Sequence, residues 1–263
     1  MAPVSGVLPG GLAAPGRGCF AGPMGEAGDI PAGYPRLAAA GEAALLIRFA
    51  AAPAPAVAAA VAAFDAALRA DPPTGVTEVV PTICSVLLRF APESVAPEVL
   101  EAACRERLDA ADWYAASPPC GRRRWVWPVV YGGAAGPDLA AVADRAGLRE
   151  DQVIDAHAGH PFPVLTLGFA PGLAYLGGLG AAFDLPRRTE LAAEVPAGSV
   201  LVAIRQTVLP ATPIPTGWWR IGQSPERNFT PGAAQPFRIA HGDSVVFEPV
   251  RPGTAARARE VAP

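Results

Sequence analysis

Three histidines, a pair of arginines and one glycine-broken apolar stretch are the parts of this chain whose types and spacing could do chemistry. His157 and His160 stand three residues apart, just before the stretch that runs from Gly168 to Leu179. Histidine is the natural proton carrier near neutral pH. His157 also falls at the end of a predicted helix, where it could serve instead as a cation against the C-terminal dipole. No carboxylate or third histidine stands at a usable spacing, so no metal site is expected. His241, in His241-Gly242-Asp243, reads as turn chemistry before the last strand.

The stretch Gly168-Phe169-Ala170-Pro171-Gly172-Leu173-Ala174-Tyr175-Leu176-Gly177-Gly178-Leu179 is apolar enough for a core, yet four glycines and a proline interrupt it. Glycine weakens a strand and proline removes a ladder donor. A wall that something must approach closely gains from losing its side chains. The stretch therefore reads as a site or an interface. Pro186-Arg187-Arg188 follows it; arginines there suit bidentate binding of carboxylate or phosphate, or a solvated loop. In Thr216-Gly217-Trp218-Trp219-Arg220 the two tryptophans would point opposite ways along a strand. One would be core, and the other could floor a pocket or anchor a partner. There is no G-x-S-x-G elbow, and Ser199 has no companion that spacing identifies.

Composition removes several classes. The chain has 263 residues and no lysine; all 21 basic residues are arginine. A Schiff-base enzyme and a P-loop both need a lysine amine and are excluded. A net charge of -3 gives no expectation of a nucleic-acid partner. Cys19, Cys84, Cys104 and Cys120 include no C-x-x-C pair, so zinc and thioredoxin-like redox chemistry have no support. Cys104 reads as a small core residue, and Cys120, beside three arginines, as a loop cysteine or one of lowered pKa. No apolar run is clean enough to span a bilayer, so no membrane partner is expected. The Gly/Pro/Ala-rich start lacks the pattern of a secretory signal. Residues 1–33 read as a disordered extension and the protein as cytoplasmic.

Elements that could position these groups fall into two textures. Residues 34–120 alternate strands and helices. Ala43–Phe49 reads as a strand, and Ala54–Ala70 as a helix with Val57, Val61, Phe64 and Leu68 on one stripe. Asp71-Pro72-Pro73-Thr74-Gly75 stops it. Val76–Val80 and Ser85–Phe90 read as a hairpin. A second helix after Pro97 places Leu100, Ala103, Cys104 and Leu108 on one face. This order suggests a small α+β sandwich with helices on one face of an antiparallel sheet. Ser117–Gly121 reads as a linker. In residues 121–252 come a strand over Trp125–Tyr131, two short helices ending near His157, and short apolar runs broken by Pro and Gly, including Val200–Ile204 and Ser244–Phe247. That texture favours a barrel or sandwich. Residues 253–263 read as an Arg/Ala tail.

Together these motifs resemble the allophanate hydrolase subunit 1 family, also described as carboxyltransferase B-subunit-like, which includes the B subunit of bacterial 5-oxoprolinase and the sporulation kinase inhibitor KipI. The marks are Gly41-Glu42-Ala43-Ala44-Leu45-Leu46, Val79-Val80-Pro81, Pro128-Val129-Val130-Tyr131-Gly132-Gly133, His157 before Phe162, Gly168-Phe169-x-Pro171-Gly172, Tyr175-Leu176-Gly177-Gly178, Pro186-Arg187-Arg188, Val195-Pro196-Ala197-Gly198-Ser199, Gln206-Thr207, Gly217-Trp218 and Gly242-Asp243. The resemblance covers Tyr34 to Arg251. It implies an α+β N-terminal domain followed by a cyclophilin-like β-barrel. It also implies a C-type (subunit 2) partner and an A subunit, which together open 5-oxoproline to glutamate with ATP. The missing lysine fits nucleotide being handled mainly by other subunits.

Carried over, the family cleft would hold His157 and Arg187 as catalytic residues. Gly168, Phe169, Pro171, Gly172, Tyr175, Arg188, Gln206 and Trp218 would bind substrate. His157 would transfer or orient a proton, Arg187 would hold a carboxylate or phosphoryl oxygen, and amides of Gly168–Gly172 would stabilise developing negative charge. The chain departs from the family where glycines are usual and Ile204 and Val208 stand, and again at Pro210-Ala211, Thr216, Gln223-Ser224 and Leu191-Ala192. A residue larger than glycine is expected to forbid a close approach or a positive φ. The function implied is a B-type subunit of an ATP-dependent lactam- or amide-cleaving complex acting on a small carboxylate. The alternatives are a stand-alone enzyme of secondary metabolism using the barrel pocket, and a non-catalytic binding or inhibitor protein like KipI.

Overall fold

A computed structural model describes residues 33–116 and 122–261. The extension read over residues 1–33 falls almost wholly outside these, as do Cys19, the linker Ser117–Gly121 with Cys120, and the last two residues.

The first part begins with strands β1 (Arg36–Ala39) and β2 (Ala44–Arg48), followed by helix α1 (Pro55–Ala70). Strands β3 (Val76–Pro81) and β4 (Ser85–Phe90) and helix α2 (Pro97–Asp109) complete it. Pro55 opens α1 where its missing N–H costs nothing. Val57, Val61, Phe64 and Leu68 are buried, as their helical spacing requires. The four strands pair antiparallel in the order β1-β2-β4-β3. Pro81 is tolerated because β3 is an edge. Ile47, Phe49, Phe64, Leu88 and Leu100 meet in one core. Two expectations are corrected. Strand β1, unread in the sequence, pairs with β2, with Ala39 opposite Leu45. Ala103 is exposed, so the buried face of α2 is Leu100, Cys104 and Leu108 alone.

The second part contains β5 (Arg124–Tyr131), α3 (Leu139–Ala146), α4 (Glu150–Ala158), β6 (Phe162–Leu167), β7 (Ala174–Leu176), β8 (Ala192–Val195), β9 (Ser199–Ala203), β10 (Gln206–Leu209), β11 (Ile214–Thr216), β12 (Trp219–Gln223), β13 (Ser244–Pro249) and β14 (Arg259–Val261). Seven strands, ordered β12-β9-β10-β7-β6-β13-β5, close into a barrel because β12 also pairs with β5. The β13–β5 pair is parallel and the other contacts of the ring are antiparallel. Alternating residues such as Trp125, Trp127 and Val129, or Val200 and Val202, fill the interior, and α3 and α4 add Leu139, Val142 and Val153. Strand β14, inside the stretch read as a tail, pairs with the beginning of β5. Strands β8 and β11 form a separate ribbon.

Helix α1 meets the barrel at a buried carboxylate. Asp65 accepts a hydrogen bond from Arg69 Nε at 2.8 Å, and lies 3.4 Å from His241 Nδ1 and 3.7 Å from Arg122 Nη2. Burial alone would raise the Asp65 pKa. His241 and Arg69 outweigh burial and hold it below the ordinary carboxylate value. Its contribution to stability is therefore full above the unfolded carboxylate pKa and is lost as pH falls through the lower folded value. Asp65→Asn should cost about 1–3 kcal/mol at neutral pH. In parallel denaturant titrations the gap to the wild type should narrow as pH falls below about 4.

Candidate functional site

Strand β10 divides the residues that the sequence groups together. Its side chains alternate, so Thr207 and Leu209 face the barrel interior while Gln206 and Val208 face outward. Thr207 lies opposite Val202 and Leu176, both interior residues. Val208 lies opposite Leu201 and Tyr175, which belong to the outer cluster.

On the inner side sits His157, with no exposed surface. Its Nδ1 is 2.7 Å from the Tyr131 hydroxyl and its Nε2 is 2.9 Å from Thr207 Oγ1. The ring stacks on Phe247 with centroids 4.5 Å apart. Burial lowers its pKa to about 3, and nearby His160 adds to the shift. Burial likewise pushes the Tyr131 hydroxyl up. The imidazole is neutral at pH 7, with both ring nitrogens occupied. With both nitrogens engaged and no exposed surface, the ring presents no open nitrogen to a molecule on the outer face. Nor does it terminate α4 as a cation.

On the outer side, Leu173, Val195, Leu201, Ala203, Val208, Ile214 and Trp218 form a second cluster, with Ala170, Tyr175 and Trp219 packed against it. The β8–β11 ribbon supplies Val195 and Ile214. Tyr175 and Trp218 meet edge to face with centroids 6.2 Å apart. The Arg187 guanidinium lies over the Trp218 ring at 5.3 Å, and forms no ion pair among the described residues. Gln206 is buried on the same outward face. The structure thus brings Tyr175, Arg187, Gln206 and Trp218 to one side of the barrel, and the loop from Gly168 to Leu173 borders it.

Within that loop the groups differ. The Gly168 N–H donates to Leu173 O at 3.1 Å, so it is spent, while the N–H groups of Phe169, Ala170 and Gly172 find no partner among the described residues. Phe169 is 75% exposed at φ +74°, a conformation that costs an aromatic residue energy. Pro171 is exposed. Gly172, at φ +71°, packs against Phe229 and Ala211, and its carbonyl accepts from Asn228 Nδ2 at 3.2 Å. Arg188 is committed elsewhere. Its guanidinium reaches Asp138 at 3.1 Å and lies 5.4 Å from the centre of the Trp219 ring, and its backbone N–H donates to Gly217 O.

Sequence reasoning gave no role to Asp138, Tyr131, Thr207 or Arg145. Asp138 accepts from Arg188 and from the Arg220 N–H, across 50 and 82 residues of chain. The Arg145 guanidinium covers Trp219 at 4.5 Å. No local spacing signals such pairings. Arg220 is half-buried, its pKa lowered by desolvation against the pull of Asp138, and its Nε has no partner among the described residues. Among the described residues no group of three or more His, Cys, Asp or Glu could hold a metal ion. No described helix is long and apolar enough to cross a membrane.

The expectation for Ile204 is also corrected. Ile204 and Arg205 connect β9 to β10 at φ +45° and +59°. Positive φ at both centres of a two-residue hairpin matches the right-handed twist of the strands, which is why such turns prefer Asn-Gly. Here the twist is kept at the expense of strain in a β-branched residue. Val208, by contrast, is buried in the outer cluster and fills it.

The closed seven-stranded barrel, preceded by a sheet-and-helix region, is the part of the chain that resembles known proteins. Residues 35–239 match the family described as carboxyltransferase domain, subdomain C and D, and the chain belongs to that family. It is similar to the B subunit of the 5-oxoprolinase of Escherichia coli O157:H7, with 45% identity over 126 residues, covering 48% of this chain and 58% of that protein. It is similar also to the corresponding B subunit of Bacillus subtilis strain 168, with 41% identity over 120 residues, covering 46% of this chain and 50% of that protein. The chain spans about half the length of the curated relatives it matches. Among solved structures it is similar to TTHA0988, with a TM-score of 0.68 and 28% identity, covering 81% of this chain and 41% of that chain.

Two measurements follow from this geometry. Because the His157 pKa is depressed, the unfolded state binds the extra proton first as pH falls. Stability should therefore drop between pH 6.5 and about 3, at up to about 1.4 kcal/mol per pH unit from this group. The slope should flatten in His157→Gln, and NMR should show no imidazole titration for His157 between pH 5 and 8. Separately, Ile204→Asn combined with Arg205→Gly should stabilise the fold by about 1–2 kcal/mol, read as a raised Tm.

Proposed function

We propose that this chain is the B-type component of an ATP-dependent, 5-oxoprolinase-like complex that opens a lactam or amide of a small carboxylate on the outer face of a cyclophilin-like barrel. Family membership and the two B-subunit relatives support the class. The observation that carries the site is Arg187, which has no carboxylate partner among the described residues and is held over Trp218 beside an apolar cluster. A guanidinium so placed would take a substrate carboxylate through two parallel hydrogen bonds. Tyr175 and Trp218 would wall the apolar part of the molecule, and Gln206 would orient its amide. The open N–H groups of Phe169, Ala170 and Gly172 would stabilise the oxygen that gains negative charge. His157 would act as a positioning residue: its contact with Thr207 fixes β10, and with it Gln206 on the far face. Arg188, tied to Asp138, would brace the loop that presents Arg187.

Nucleotide would be bound by the other components, a C-type (subunit 2) protein and an A subunit, in the cytoplasm. TTHA0988, of which the matching part is 41%, has more than half its chain beyond the region like this one. That is consistent with a domain that works beside another. The exposed Phe169 favours a second use of the same loop, as a contact for the partner protein.

The test is 5-oxoproline-dependent ATP hydrolysis by this chain with C- and A-type proteins of the same host. Arg187→Ala should lower kcat/KM for 5-oxoproline by about 10- to 100-fold, the worth of a charged hydrogen bond. ATP hydrolysis without 5-oxoproline should be unchanged. No 5-oxoproline-dependent turnover by the complete wild-type set would overturn the proposal.

A further inference from the structure

A groove of about 750 Å³ lies between α1 and the barrel, away from the outer face that carries Arg187 and Trp218. One wall is α1, through Pro55, Ala58, Ala59 and Ala62, which share a helix face. The other is the barrel, through Leu165, Leu179 and Phe183. Two elements that merely needed to adhere would interlock at the density of a protein interior. Here the alanines leave a space within the size range of small-molecule sites.

The polar groups of the lining are unevenly used. Asp243 is paired with Arg123, and its Oδ2 accepts also from Trp125 Nε1 and from the Ala240 N–H. His241 faces Asp65. His160 and Arg205 remain. His160 Nε2 is buried without a partner among the described residues, an unusual condition for a ring nitrogen. Arg205 forms no ion pair among the described residues, and its Nε donates to Leu179 O at 3.1 Å, which holds the base of the guanidinium against the groove wall. The strained turn places it there at φ +59°. The lining therefore offers a cation and an open imidazole nitrogen, and the charge of its one carboxylate is already paired with Arg123.

We propose that this groove binds a small molecule with an apolar body and one anionic head, the body between α1 and the Leu165–Phe183 wall and the head at Arg205 and His160. The proposal is independent of the activity assigned to the outer face. Calorimetric titration of the full chain with octanoate, octanol and octylamine tests it. Octanoate should bind at least tenfold more tightly than octanol, and octylamine should not bind. Arg205→Gln, on an exposed turn, should bring octanoate down to the affinity of octanol while leaving the Tm within a few degrees. Ala62→Phe should abolish binding of both by filling the groove, and Ala58→Leu provides a milder filling variant if Ala62→Phe does not fold. Equal binding of octanoate and octanol by the wild type, no binding of either, or affinities unmoved by Arg205→Gln and by the filling variants would each overturn it.

Discussion

The alternation of side chains along β10 is the constraint on which the candidate site depends. A strand at this place in a closed sheet has an inner and an outer face, and both are buried here. Thr207 looks inward to His157, and Gln206 and Val208 look outward to the cluster around Tyr175 and Trp218. A slip of one residue in the β9–β10 register would exchange the two sets. The turn at Ile204 and Arg205 fixes that register, which explains why a strained two-residue connection persists. The inner hydrogen bonds of His157 add a second lock on the same strand. A neutral imidazole suits this position because one nitrogen can donate and the other accept, so two hydroxyls are satisfied without burying a charge.

The outer face is organised by aromatic rings and guanidinium groups more than by ion pairs. Trp219 lies beneath Arg145 and Arg188, and Trp218 beneath Arg187. Asp138 ties Arg188 and the Arg220 N–H to the start of α3. The two adjacent arginines thus differ in kind. One is spent on structure, and the other keeps a charge that no described carboxylate compensates. A chain without lysine relies on arginine for both purposes, and the planar fork suits each of them.

How much could be read from the residues varies by element. Helix α1 was legible because its apolar stripe, its opening proline and its Asp-Pro-Pro stop all agree. Strand β1 was not, since Arg36–Ala39 is largely exposed and rich in alanine; its extended form is held by the ladder with β2, which no local pattern announces. Strand β14 was hidden for the same reason in an Arg/Ala stretch. The motif around Gly168–Tyr175 was visible as an anomaly of composition. That Tyr175, Arg187 and Trp218 share a face followed only from the family resemblance, because spacing along a chain is silent about contacts made through a sheet. His157 shows the limit most clearly. Its chemistry was legible, but its burial depends on Tyr131 and Thr207, which lie 26 and 50 residues away.

Strand β5 receives partners only from far along the chain. It pairs with β13 through Arg124–Val129, with β14 through Arg124–Val126, and with β12 at Val130 and Tyr131. During synthesis it emerges long before any of them, so a strand carrying Trp125, Trp127 and Val129 stays unpaired until residue 219 and beyond have been made. Such distant pairing is slow to form, and an unpaired apolar strand can template association with other chains. Arg122, Arg123 and Arg124, at its start, give the nascent segment a local positive charge that opposes such contacts. The late closure of the barrel therefore makes this arginine run a gatekeeper during biosynthesis as well as a source of ion pairs in the finished fold.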